Sequence, residues 1–70
     1  MRELDAVALA EPIPGQNLQR GHVGTVVHQY PDGTLEVEFS DSRGVAYAFA
    51  TVQPDLLIRL YNEPPRARAV

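Results

Sequence analysis

The sequence predicts an all-β fold, five short strands closing into a small barrel, and three observations carry that prediction. Turn signals recur roughly every 8–12 residues from Gly21 onward. Leu35, Val37 and Phe39 alternate strictly with Thr34, Glu36 and Glu38, the period of a half-buried strand. The chain has 70 residues and no cysteine. A domain this short buries only about 60% of its unfolded surface, and closing the sheet would hide edges that must otherwise be blunted in another way.

The elements follow in order. Glu3 to Leu9 reads as the first strand, anchored by Leu4, Val7 and Leu9. Glu11-Pro12-Ile13-Pro14-Gly15-Gln16-Asn17 cannot be regular, because two prolines fix φ and remove donors while Gly15 and Asn17 tolerate positive φ. A long first loop results, and long loops in compact domains often carry function. Arg20 to Tyr30 is the second strand, rich in β-branched residues, with Gly24 marking a bulge or sharp bend. Pro31-Asp32-Gly33 turns the chain into the third strand, Thr34–Phe39.

Ser40-Asp41-Ser42-Arg43-Gly44 is a second turn, and Val45 to Val52 is the fourth strand. Its facing is open: one parity carries Val45, Tyr47, Phe49 and Thr51, the other Ala46, Ala48, Ala50 and Val52. Gln53-Pro54-Asp55-Leu56-Leu57 suits a 3₁₀ turn, and Ile58–Tyr61 closes as the fifth strand. The folded unit is expected over residues 1–61, with 62–70 a flexible Pro/Arg-containing tail. Five strands with a long first loop and a 3₁₀ turn before the last is the element order of an SH3-like barrel.

Composition narrows the function. Hydrophobic residues make up 44% and charged residues 21%, as in a globular domain. All six basic residues are arginine, and residues 1–61 set four arginines against eight carboxylates, a balance of -4. Nucleic-acid modules carry a basic stripe, because phosphate neutralisation supplies most of their affinity, and this chain has none. Without cysteine there is neither a disulfide framework nor a thiolate metal site. No apolar window approaches a membrane span, and Met1-Arg2-Glu3-Leu4-Asp5 does not read as a signal peptide. A soluble cytoplasmic domain is expected.

Two resemblances enter here. Arg20-Gly21-His22-Val23-Gly24-Thr25-Val26-Val27 resembles the segment that opens a strand at a corner of SH3-like and KOW-type small barrels. More closely, the chain is similar to a family of short bacterial proteins classed as a domain of unknown function. The likeness is carried by Glu3-Leu4-Asp5-Ala6-Val7-Ala8-Leu9, the same glycine segment, Glu36-Val37-Glu38-Phe39 and residues 48–52. It implies a fold and a bacterial, cytoplasmic origin, and no activity. The resemblance also implies, as a further alternative, an accessory or antitoxin-like protein paired with a neighbouring gene product. The chain departs from peptide-binding SH3 domains, having no tryptophan and no tyrosine in its first strand. Proline-rich ligands need aromatic ridges of that kind.

Candidate chemistry is sparse. His22 and His28 share parity on one strand unless a bulge intervenes, and Asp5, Asp32 or Asp41 would have to complete a zinc site. Nothing in the spacing requires one, so no metal and no cofactor are expected. Glu36 and Glu38 lie about 7 Å apart on one face, where they keep a strand soluble; acid–base work would need a cleft that separates their pKa values. No nucleophile has a relay and no glycine loop cradles phosphate, so the chain does not read as an enzyme. The expected function is a non-catalytic protein-interaction module, binding a protein partner or itself through Pro12, Ile13 and Pro14 of the long loop and through Tyr47 and Phe49, framed by Arg43 and Arg59. A KOW-like RNA- or ribosome-associated module is the alternative, and it requires Arg20, Arg43 and Arg59 to gather on one face. No small-molecule substrate is indicated.

Overall fold

Turns with a chemical cause set the strand boundaries. The computed structural model describes residues 1–61, so the expected tail at 62–70 lies outside the described residues. Five strands run β1 Ala6–Leu9, β2 Val23–Gln29, β3 Leu35–Ser40, β4 Ala46–Val52 and β5 Leu57–Arg59, with a 3₁₀ turn at Pro54–Leu56. Between β2 and β3 the Asp32 carboxylate accepts from the Thr34 hydroxyl at 2.6 Å and the Thr34 N–H at 2.9 Å, while Gly33 takes φ +93°. Those Thr34 bonds, the hydroxyl first, hold the Asp32 carboxyl below its ordinary pKa. Between β3 and β4 the N–H groups of Val45 and Arg43 do the same for Asp41, at 3.0 and 2.8 Å.

The first strand starts three residues later than expected. Leu4 takes φ +70°, which no strand residue adopts, and its side chain is exposed instead of anchoring the core. The cause is a turn in which the Arg2 N–H donates to the Asp5 carboxylate at 2.8 Å and the Asp5 N–H to the Arg2 carbonyl at 3.1 Å. At the other end Leu57, expected within the 3₁₀ turn, begins β5 and is buried.

All five strands join one antiparallel sheet in the order β4-β3-β2-β1-β5. The expected closure into a barrel does not occur by strand pairing, since β4 and β5 are the two edges of the order. Yet Val52 of β4 and Leu57 of β5 share one core with Val7, Leu9, Val26, Leu35, Val37 and Phe39. A single sheet can bury one face in this way only by curling around it.

The long loop completes the enclosure. The Ala10 N–H donates to the Leu56 carbonyl at 2.8 Å, next to the β5 edge, and the Gln16 side-chain amide donates to the Phe49 carbonyl on β4 at 3.3 Å. The segment between them is a tight hairpin, with the Ile13 N–H on the Leu18 carbonyl at 2.9 Å and positive φ at Gly15 and Asn17. Leu18 drops from it into the core at 1% exposure. The loop therefore runs from the end of β1 to the β4 edge and adds Leu18 to the core on the way.

Of the bulge or sharp bend expected at Gly24, the bulge lies elsewhere. The β2–β3 register shift falls between Val26 and His28. Gly24 sits directly opposite Phe39, and a Cβ there would lie 2.7 Å from Val37 Cγ1 and 2.8 Å from the Glu38 carbonyl oxygen. The glycine permits close approach of two strands.

Candidate functional site

The facing of β4 decides which residues can meet a partner. Phe39, the largest side chain of the core, has Gly24 opposite it on β2 and Ala48 opposite it on β4; Val37 has Val26 and Ala50. The core spaces on β4 are therefore filled by Ala48, Ala50 and Val52, of which Ala50 and Val52 are buried. Alternation then turns Phe49 outward, at 52% exposure, and Tyr47 is 51% exposed.

Tyr47 is also the extra residue of a bulge. The β3–β4 register passes from Phe39 opposite Ala48 to Ser40 opposite Ala46, leaving Tyr47 unpaired. The His22 ring stands edge-on to it, with centroids 6.2 Å apart. His22 is held in turn by the Gln19 N–H, which donates to its Nδ1 at 2.7 Å. Phe49 lies opposite Glu38 on the same outward face. Glu36, the next carboxylate along, accepts from the Thr51 hydroxyl at 2.7 Å and from the Tyr30 hydroxyl at 3.4 Å.

Further apolar residues on this face escaped the sequence reading. Ala8 pairs with Val23 on one side and with Ile58 on the other, and Val23 and Ile58 are each 50% exposed. Continuing the β2–β3 register one step puts the small Ser40 beside Val23. The available signal was Val23 itself, a large apolar residue one position before the inward-facing Gly24.

The remaining candidates scatter. Pro12 and Pro14 are exposed, while Ile13 is half-buried and packs against the core, so its main contribution is to the loop's seating. Arg43 lies in the β3–β4 turn, 3.5 Å from Asp41, whereas Arg59 is on β5, 3.5 Å from Asp5 and stacked over the Tyr61 ring at 4.9 Å. Three strands of the sheet order, β1, β2 and β3, separate β5 from the β4 edge. The two arginines thus belong to different edges and each already faces a carboxylate.

The histidines also separate. The bulge after Val26 sets His28 opposite Glu36 on the outward face, with its ring edge-on to Tyr30 at 4.6 Å. His22 precedes β2 and rests against Tyr47. Among the described residues no three His, Cys, Asp or Glu side chains are grouped to hold a metal ion, and no helix is long and apolar enough to cross a membrane.

These features define a small all-β domain built on one curled antiparallel sheet, with two exposed aromatic rings on its edge strand β4. The chain belongs to the family described as Domain of unknown function (DUF4926), whose model matches residues 3–59. No curated protein and no solved structure matches it.

Proposed function

We propose that the domain is a non-catalytic protein-interaction module on an SH3-like barrel frame, with the outward face of β4 as its contact surface. The observation that carries this is the inversion on β4: alanines take the core and two aromatic rings stand half in water. An aromatic side chain accounts for about 150–250 Å² of contact area, so Tyr47 and Phe49 together leave roughly 200 Å² for a partner. Val23 and Ile58, each half exposed, add apolar area on the outward side of the same sheet. The SH3-like assignment draws support from the element order, the strand order β4-β3-β2-β1-β5 and the 3₁₀ turn before β5. The absence of cysteine suits the reducing bacterial cytoplasm as its compartment.

The test is affinity capture from a lysate of the source organism, using the wild-type chain, the Tyr47→Ser/Phe49→Ser double variant and Leu4→Ser. Leu4 is an exposed apolar residue in the turn before β1 and serves as a control for general stickiness. The reading expects at least one protein, identified by mass spectrometry, to be held by the wild type and the control and released by the double variant. Identical sets from all three would sink it.

A further inference from the structure

We infer that the outward face of the sheet takes an arginine side chain from a basic segment of another protein, seated against the Phe49 ring and the Glu38 carboxylate. This rests on the interaction reading of β4 and names the partner's chemistry.

The two carboxylates of β3 stand in different surroundings. Glu36 is engaged, accepting from the Thr51 and Tyr30 hydroxyls at 2.7 and 3.4 Å. Glu38 is half-buried, with Thr25 opposite it on β2 and Phe49 opposite it on β4. The ion pairs among the described residues lie elsewhere, Arg43 with Asp41 and Arg59 with Asp5. Glu38 thus presents a charged acceptor at mid-sheet, directly beside an aromatic ring that is 52% exposed.

The chain completes the same combination once with its own arginine. Arg59 lies 3.5 Å from the Asp5 carboxylate and 4.9 Å from the centre of the Tyr61 ring. Carboxylate and ring there share one guanidinium. Glu38 and Phe49 are cross-strand partners, and such pairs have Cβ atoms about 5 Å apart. One guanidinium can therefore touch both, and no arginine among the described residues pairs with Glu38.

Arginine suits the position better than lysine. Its planar guanidinium stacks on a ring while its edge donates to a carboxylate, whereas an ammonium is a compact and strongly hydrated point charge. A peptide segment suits it better than a free cation. Val23 lies two residues before Thr25 on β2 and is half exposed, so it offers apolar contact to a residue flanking the incoming arginine.

Charge selects among the occupants. A second copy meeting this face with its own would set Glu38 against Glu38 and add another net charge of -3, and like charges brought together suppress a contact. A nucleic acid would bring phosphates to a face that carries carboxylates. A basic segment of a different protein meets the opposite sign, which steers its approach as well as holding it.

Titrating the isotope-labelled full chain with the blocked tripeptide acetyl-Val-Arg-Val-amide, followed by amide and aromatic NMR shifts, tests this. The expected result is saturable millimolar binding that moves the Thr25, Glu38 and Phe49 amides and the Phe49 ring. Citrulline in place of the arginine keeps the shape without the charge and should weaken binding about fivefold or more; Glu38→Gln and Phe49→Leu should each weaken it about two- to fivefold. Equal affinity for the arginine and citrulline peptides overturns the inference, because the contact would then be apolar only. So does the absence of shifts at millimolar peptide, or shifts centred on the Asp32 and Asp41 turns. Binding that appears only in an Arg66→Ser/Arg68→Ser variant overturns it in favour of the chain's own tail, and concentration-dependent shifts at Phe49 without peptide overturn it in favour of a second copy. Any of these, with a lysate partner still captured through Tyr47 and Phe49 and retained by Glu38→Gln, leaves the interaction reading standing and removes only this one.

Discussion

Replacing Gly24 by alanine adds one carbon where β2 and β3 approach closely. That Cβ would meet Val37 Cγ1 at 2.7 Å, the Glu38 carbonyl oxygen at 2.8 Å and Phe39 Cδ1 at 3.0 Å. Ordinary contact begins near 3.5 Å. The Val37 methyl could rotate away, but the Glu38 oxygen is backbone and moves only if β3 moves. Overpacking of this kind costs about 3 kcal/mol at the upper end of its usual range. Alanine recovers about 0.4–1 kcal/mol by restricting the unfolded chain, so the net loss is about 2 kcal/mol. A domain of this size has a total stability of only about 4–10 kcal/mol, and the melting temperature should fall by about 8–16 °C. Thermal and urea unfolding followed by far-ultraviolet circular dichroism measure it. Stability of Gly24→Ala within about 0.5 kcal/mol of the wild type would falsify the close-approach account.

Two further outcomes follow from the same structure. Leu18→Ala leaves a cavity under the long loop and should cost about 2–5 kcal/mol, as much as a strand residue; a loss below about 1 kcal/mol in urea unfolding means the loop does not complete the core. Asp32 and Asp41 have carboxyls held below their ordinary value in the folded state by turn hydrogen bonds. A depressed folded pKa stabilises above the unfolded value near 4, and that stabilisation is lost as pH falls through the lower folded value. The melting temperature should therefore decline below about pH 4, and the Asp32→Ala/Asp41→Ala double variant should show a shallower acid limb; superimposable limbs would count against the two turns as its source.

Legibility tracked how local the cause was. β3 was readable because Thr34, Glu36 and Glu38 contrast with Leu35, Val37 and Phe39, and both turns because Asp-Gly and Asp-Ser-Arg-Gly fix their own backbones. The start of β1 was not, because Leu4 looks like an anchor until the Arg2–Asp5 turn gives it a positive φ. Gly24 announced something unusual in β2, but a bulge and a close approach give the same letter. Of the candidate site, Tyr47 and Phe49 were visible as a pair without a direction. Val23, Ile58 and Gln16 were missed, because each acts only through a strand or loop distant in sequence.

By itself, then, the sequence determined an all-β chain, its five strands and their turns, and a membership that runs from Glu3 to Arg59. Those follow from alternation, proline and glycine chemistry, which act over a few residues. Only the tertiary structure decided how the sheet is finished and which way β4 faces. The first is settled by Leu18 and Gln16, which a loop with no periodicity brings to the core and to the β4 edge. The second is settled by Phe39: its ring needs a glycine on one side and an alanine on the other, so Ala48 and Ala50 turn in and Tyr47 and Phe49 are left exposed. Both parities of β4 are apolar, and only the volume already taken by a neighbouring strand could choose between them.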